Sequence, residues 1–203
     1  MSDKKHWDSI YTTKGSKGVS WYQDTPEISL RLIRAAGLTG ATVIDVGGGA
    51  SPLVDYLIKE PAQGISVLDL SGAALATARK RLGEAASGVT WIEGDITSVA
   101  LRENAFDIWH DRAVFHFLTD PASRVAYKER LALCLKPKGQ LVIATFAKDG
   151  PPKCSGLEVV HYSPESLTVE LGEGFQLLDT ASEIHNTPFE TTQSFIYCRF
   201  QKL

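Results

Sequence analysis

Several things are scarce in this 203-residue chain, and each scarcity narrows what it can be. Its three cysteines, Cys134, Cys154 and Cys198, lie far apart and form no C-x-x-C pair, which argues against both a structural zinc site and a disulfide framework. His161 and His185 are also too distant in sequence to make a metal site by spacing, so no metal is expected. No apolar run approaches the roughly 18 residues of a membrane span, and Met1-Ser2-Asp3-Lys4-Lys5-His6 has no apolar signal region. A cytoplasmic protein without a membrane partner is the expectation. Charge is balanced at 21 basic against 24 acidic residues, and the basic ones are scattered; nucleic acid and other polyanions are therefore not expected partners. Internal repeats and low-complexity stretches are absent too. With 43% hydrophobic residues, residues 1–203 read as a single domain with a substantial core.

What is present is a regular alternation. Short apolar runs at Ala41–Val46, Ile65–Leu70, Val89–Glu93, Phe106–Trp109 and Gln140–Phe146 read as strands. Between them, Gly72–Leu82 and Ala122–Leu135 carry apolar residues at helical spacing and read as crossover helices. Phe175–Ala181 and Ser194–Phe200 have no long helix between them and should pair as an antiparallel hairpin. The fold class is therefore α/β, a three-layer Rossmann-like sandwich with a seven-stranded, mostly parallel sheet whose last strand is antiparallel. Residues 1–40, poor in strand pattern, read as a helical cover over a core of residues 41–203. Four pairs, Thr25-Pro26, Ser51-Pro52, Asp120-Pro121 and Ser163-Pro164, each place a side-chain oxygen before a proline, the pattern of a helix N-cap followed by its first turn.

The most informative run is Val43-Ile44-Asp45-Val46-Gly47-Gly48-Gly49-Ala50-Ser51-Pro52, a buried strand end passing through an acid and a glycine turn into a helix. A dinucleotide loop wants G-x-G-x-x-G, and here Pro52 stands where the third glycine would be. An acid two residues before the first glycine instead resembles the D/E-x-G-x-G loop of class I S-adenosylmethionine (SAM)-dependent methyltransferases. That resemblance implies SAM as cofactor and S-adenosylhomocysteine (SAH) as product. In an open α/β sheet the ligand lies beyond the C-terminal strand ends, which makes Asp45, Gly47 and Gly49 its neighbours. Asp69 and Leu70 end the second run, and an acid there suits both ribose hydroxyls, Ser71 being the better N-cap. By the same resemblance, Asp95 and Ile96 after the third run would meet the adenine.

The fourth run continues through His110-Asp111-Arg112-Ala113-Val114-Phe115-His116. Asp111-Arg112-Ala113 resembles the D-R-G/A element of thiopurine-type small-molecule methyltransferases, with Arg124, Tyr127, Leu135–Gly139 and Gly150-Pro151-Pro152 in a similar layout. Trp7-Asp8-Ser9-Ile10-Tyr11 and Ser20-Trp21-Tyr22 are similar instead to the W-D-x-x-Y and W-Y/F elements of small protein-lysine methyltransferases. Both resemblances imply SAM. They differ on the acceptor, a small-molecule nucleophile such as a thiol being preferred and a protein lysine being the alternative.

Methyl transfer from a sulfonium asks the protein chiefly for positioning and for removal of one proton. Asp111 and His116 are the candidate bases, and Arg112 the candidate partner of an anionic or thiolate acceptor. Asp111 is also placed beside the cofactor. Trp7, Tyr11 and Trp21 are expected to close over it, because aromatic faces attract a cation by about 0.5–2 kcal/mol. Lys153 and Cys154 are assigned to the substrate region, Cys154 as the most exposed of the cysteines. Two other function classes compete: a SAM-binding module without catalysis, and an NAD-dependent oxidoreductase.

Overall fold

A computed structural model describes residues 4–15 and 18–203. Two helices, α1 (Lys4–Lys14) and α2 (Glu27–Ala35), precede the first strand. Then come β1 (Thr42–Val46), α3 (Leu53–Leu57), β2 (Gly64–Asp69), α4 (Gly72–Leu82), β3 (Val89–Glu93), β4 (Phe106–Arg112), α5 (Pro121–Cys134) and β5 (Leu135–Phe146). A two-stranded ribbon, β6 (Lys153–Cys154) and β7 (Leu157–Glu158), leads to α6 (Pro164–Leu171) and the hairpin β8 (Phe175–Asn186) and β9 (Thr192–Lys202).

The seven strands of the main sheet lie in the order β3-β2-β1-β4-β5-β9-β8. Strands β1 to β5 pair in parallel, whereas β9 runs antiparallel to both neighbours. The expected sheet, its closing hairpin and its antiparallel last strand are thus all present. Strand order reverses between β1 and β4, and their C-terminal ends open the crevice where an open sheet of this kind binds ligands.

Alternation along the strands sorts the core into two layers. Val43 and Ile108 face a layer closed by Leu32 and Ile33 of α2 and by Leu53 and Leu57 of α3. Ile44 and Trp109 face the other layer, closed by Tyr127 and Leu131 of α5 and Leu167 of α6.

Boundaries depart from the sequence reading where caps and edges decide them. β4 runs on to Arg112, β5 starts at Leu135, and β8 and β9 are longer than their apolar cores, because ladder pairing to a neighbour continues through polar residues. Asp120 and Ser163 do cap α5 and α6, the latter in a capping box with Ser166. Thr25 is a correction: α2 starts at Glu27 after Pro26 without a side-chain cap, and the Thr25 hydroxyl is shared with Tyr56 instead at 2.9 Å. Ser51 is displaced as well, lying before Pro52 at the N-cap of α3, although its Oγ still accepts from Leu53 N at 3.2 Å.

Candidate active site

The crevice at the switch point holds two chambers. Tyr11, Trp21, Gly47 and Arg112 border both, so the chambers adjoin along these residues. Leu70, Asp95 and Ile96 line the larger chamber with Asp69. Asp45 lines the smaller one with Gly48 and Ser51.

The glycine turn is shaped by what lies against it. Gly47 has φ +70° and an added Cβ would stand 2.0 Å from Val114 Cγ2; Gly49 has φ +36° and a Cβ there would meet Asp69 Oδ2 at 2.5 Å. Neither position admits a side chain. The turn can therefore lie flat along the cleft floor, with Gly47 and Gly48 N–H groups both donating to Leu68 O.

Asp69 ends β2 with Oδ1 accepting from Ser71 N at 2.8 Å, while the Ser71 hydroxyl caps α4 by accepting from Ala74 N. Burial pushes its carboxyl up to about 7, and the nearby Asp45 and Asp8 charges push the same way. Asp95 spends Oδ1 on the N–H and hydroxyl of Thr97, 2.8 and 2.7 Å away, which fixes the turn after β3. Asp45 is 2% exposed, with Oδ1 2.7 Å from His110 Nδ1 and Oδ2 without a hydrogen-bond partner.

Helix α1 lies across the larger chamber. Trp7 packs edge-on against Trp21 and Phe117, with ring centroids 5.7 and 5.1 Å apart, and Tyr11 meets Trp21 at 6.4 Å. Burial and the neighbouring Asp69 raise the Tyr11 phenol far above its ordinary value, so it stays a neutral hydroxyl. A polar latch supplements the ring contacts. Asp8 accepts from the Ser71 hydroxyl at 2.6 Å and pairs with Lys4, which also reaches Glu93 at 3.2 Å.

The strand-four candidates separate. Period-two alternation sends His110 and Arg112 to one face of the sheet and Asp111 to the other. Arg112 borders both chambers: its Nε donates to Tyr197 OH at 2.8 Å and Nη1 to Trp21 O at 2.9 Å, while Nη2 lacks a hydrogen-bond partner and lies 3.7 Å from Glu183. Asp111 is fully buried outside the cleft, its Oδ1 accepting from Val114 N and Phe115 N and its Oδ2 from Tyr127 OH. Burial raises its carboxyl to about 6, against the lowering effect of those bonds. It braces the turn after β4 and lines neither chamber, away from the place beside the cofactor expected of a base.

His116, the other candidate base, also lines neither chamber. It is fully buried, its Nδ1 accepts from Phe146 N at 3.2 Å, and burial, helped by Arg112 and His161, lowers it to about 3. Cys154 is 1% exposed and lines the larger chamber, contrary to its expected exposure; burial pushes its thiol up to about 12. Lys153 is the exposed member of the pair and is bound to Glu158 at 2.9 Å.

Sequence reasoning missed His110, Ser29 and the apolar Ala113-Val114-Phe117 wall. Alternation along β4 was the available signal for His110, since it shares a face with Arg112. Ala113 stands at φ +67°, a conformation rare for a side chain other than glycine, and its N–H donates to Ala144 O. Among the described residues no cluster of metal-ligating side chains exists, and no helix is long and apolar enough to cross a membrane.

A seven-stranded sheet with this order, a glycine turn at its switch point and acids at or just past the ends of its first three strands match the Rossmann-like methyltransferase fold. Residues 43–139 match the methyltransferase domain family. It is 26% identical over 159 residues to the ubiquinone/menaquinone biosynthesis C-methyltransferase of Ruegeria sp., covering 75% of this chain and 62% of that protein. It is 32% identical over 117 residues to the ubiquinone biosynthesis O-methyltransferase of Pseudomonas paraeruginosa, covering 56% of this chain and 48% of that protein. The chain thus spans about half to three fifths of the length of these relatives. The Burkholderia thailandensis 1,6-didemethyltoxoflavin-N1-methyltransferase, solved with its substrate and SAH, shares the fold at a TM-score of 0.71 and 20% identity, covering 98% of this chain and 86% of that one.

Proposed function

We propose that this protein, acting as one methyltransferase domain in the cytoplasm, transfers a methyl group from SAM to a small-molecule nucleophile. The observation that carries the reading is the pair of adjoining chambers at the switch point, lined by Gly47 and Gly48 of the glycine turn, by Asp69 and Asp95, and by the Trp7, Tyr11 and Trp21 rings. When bound, the cofactor supplies an electrophilic methyl group on a sulfonium. Asp69 offers Oδ2 to the ribose hydroxyls, Oδ1 being engaged by Ser71. Asp95 and Ile96 flank the adenine, Leu70 packs beside it, and Gly47 and Gly49 let the main chain approach the amino-acid end. Trp7, Tyr11 and Trp21 exclude water and face the cation. Three buried cysteines without a disulfide agree with the reducing compartment.

Asp111 and His116 line neither chamber, whereas Arg112 borders both, its guanidinium held by Tyr197, Trp21 O and the nearby Glu183. Arg112 holds the acceptor in its anionic form and eases loss of its proton to water, which favours thiols and other acceptors that ionise without a strong base. The ubiquinone-pathway relatives support a small molecule over a lysine side chain.

Calorimetry with SAM, SAH and NADH, followed by SAH release in the presence of thiols, acidic hydroxyl compounds and lysine peptides, tests the reading. SAM and SAH should bind, NADH should not, and turnover should appear with a small acidic nucleophile. Binding without turnover on any acceptor would establish a SAM-binding module instead.

A further inference from the structure

Beneath the glycine turn runs a buried polar chain that the cleft reading does not use. His110 Nε2 lies 2.9 Å from Ser29 Oγ on α2, and His110 Nδ1 lies 2.7 Å from Asp45 Oδ1 on β1. All three residues are almost completely buried, at 1% exposure for Ser29 and 2% each for His110 and Asp45, and all three line the smaller chamber. A carboxylate oxygen only accepts, so Nδ1 must carry the proton toward Asp45 whatever the charge on the ring. Both ring nitrogens and Asp45 Oδ1 are thereby spent. Asp45 Oδ2 alone remains without a partner, directly below Gly48, where an added Cβ would come within 2.4 Å of it.

A buried carboxylate oxygen without a donor is costly to maintain, and it persists where the missing donor arrives with a ligand. Resting on the SAM reading above, we propose that His110 and Ser29 are positioning residues for the cofactor's amino-acid end. They hold Asp45 so that Oδ2 takes the cofactor's ammonium, directly or through one water. Ser29 ties the ring to α2, and the ring ties Asp45 to β4, so the aim of Oδ2 is set from two elements. The sequence motif that begins at Asp45 does not contain this support.

Binding of SAH and of 5′-methylthioadenosine separates this role from a merely structural one, because the second ligand keeps the adenosine and sulfur but lacks the amino-acid end. In calorimetry on the full chain, His110→Leu should weaken SAH by roughly ten- to a hundredfold, the range for a hydrogen bond to a charged group. Its affinity for 5′-methylthioadenosine should stay within about twofold of wild type. His110→Asn, which can return an N–H near the Nδ1 position, should recover most of the SAH affinity. Ser29→Ala, the mildest change, should weaken SAH alone, by about two- to fivefold. Equal losses for both ligands, or unchanged SAH binding in Ser29→Ala and His110→Asn together with His110→Leu, would overturn the proposal. A wild-type protein that binds neither ligand would instead overturn the SAM reading on which it rests.

Discussion

At the scale of single residues, Asp69 and Asp111 are both buried acids, yet they lead to opposite experiments. Asp69 faces the cleft with one oxygen available, so Asp69→Ala should weaken SAH binding by roughly ten- to a hundredfold, read by calorimetry. Its raised carboxyl has a second consequence. The unfolded chain loses this proton near its ordinary value, while the folded ligand-free protein keeps it until about pH 7. The native state therefore holds more protons between those limits, its contribution is complete at low pH, and stability falls as pH rises toward 7. Asp69→Asn should flatten that decline in denaturant titrations of the ligand-free protein. Asp111, by contrast, satisfies Val114 N, Phe115 N and Tyr127 OH. Asp111→Ala strands those donors and should destabilise the fold by about 2–4 kcal/mol in urea unfolding. A variant that lost turnover at full stability would restore Asp111 as a base.

Elements decide which of those residues meet. The apolar runs located the strands because parallel strands buried on both faces write themselves as continuous hydrophobic sequence. The acids at or just past the ends of β1, β2 and β3 were legible for a related reason, since a strand's C-terminal end has a fixed relation to the ligand crevice. What the sequence hid was facing. Asp111 and Arg112 are neighbours in the chain and lie on opposite sides of the sheet, and only the full length of β4, extending to Arg112, makes that plain. Cys154 was hidden differently: a loop-like Gly-Pro-Pro stretch reads as exposed, but the β6–β7 ribbon folds it onto the cleft. Helix α1 is held by the Asp8–Ser71 bond and by Trp7 between Trp21 and Phe117. Asp8→Ala should release SAH about two- to tenfold faster in stopped-flow measurements, with the sheet's stability unchanged within about 0.5 kcal/mol. Equal release rates in variant and wild type would show that α1 does not gate the cleft.

For the whole molecule, ligand binding should appear as added stability. A ligand that binds only the folded chain adds about 2.7 kcal/mol at a hundredfold excess over its dissociation constant. For a chain of 203 residues this corresponds to a rise in melting temperature of about 5–10 °C with SAH. NADH should give none. Such a shift would come from joining both core layers through one ligand, because the cleft wall draws on β1, β2 and β4 together with α1.

The placement of α1 also bears on how the protein is made. Translation delivers Lys4–Lys14 before any of the partners that dock it, since Ser71, Glu93 and Phe117 follow dozens of residues later. Helix α1 is therefore made well before most of its partners, and Trp7 meets Trp21 early but must wait for Phe117 while the strands behind it assemble. A nascent chain halted shortly after β3 would lack Phe117 and hold α1 by Trp21 and its polar contacts alone, so the cleft acquires its full roof only after β4 has been translated.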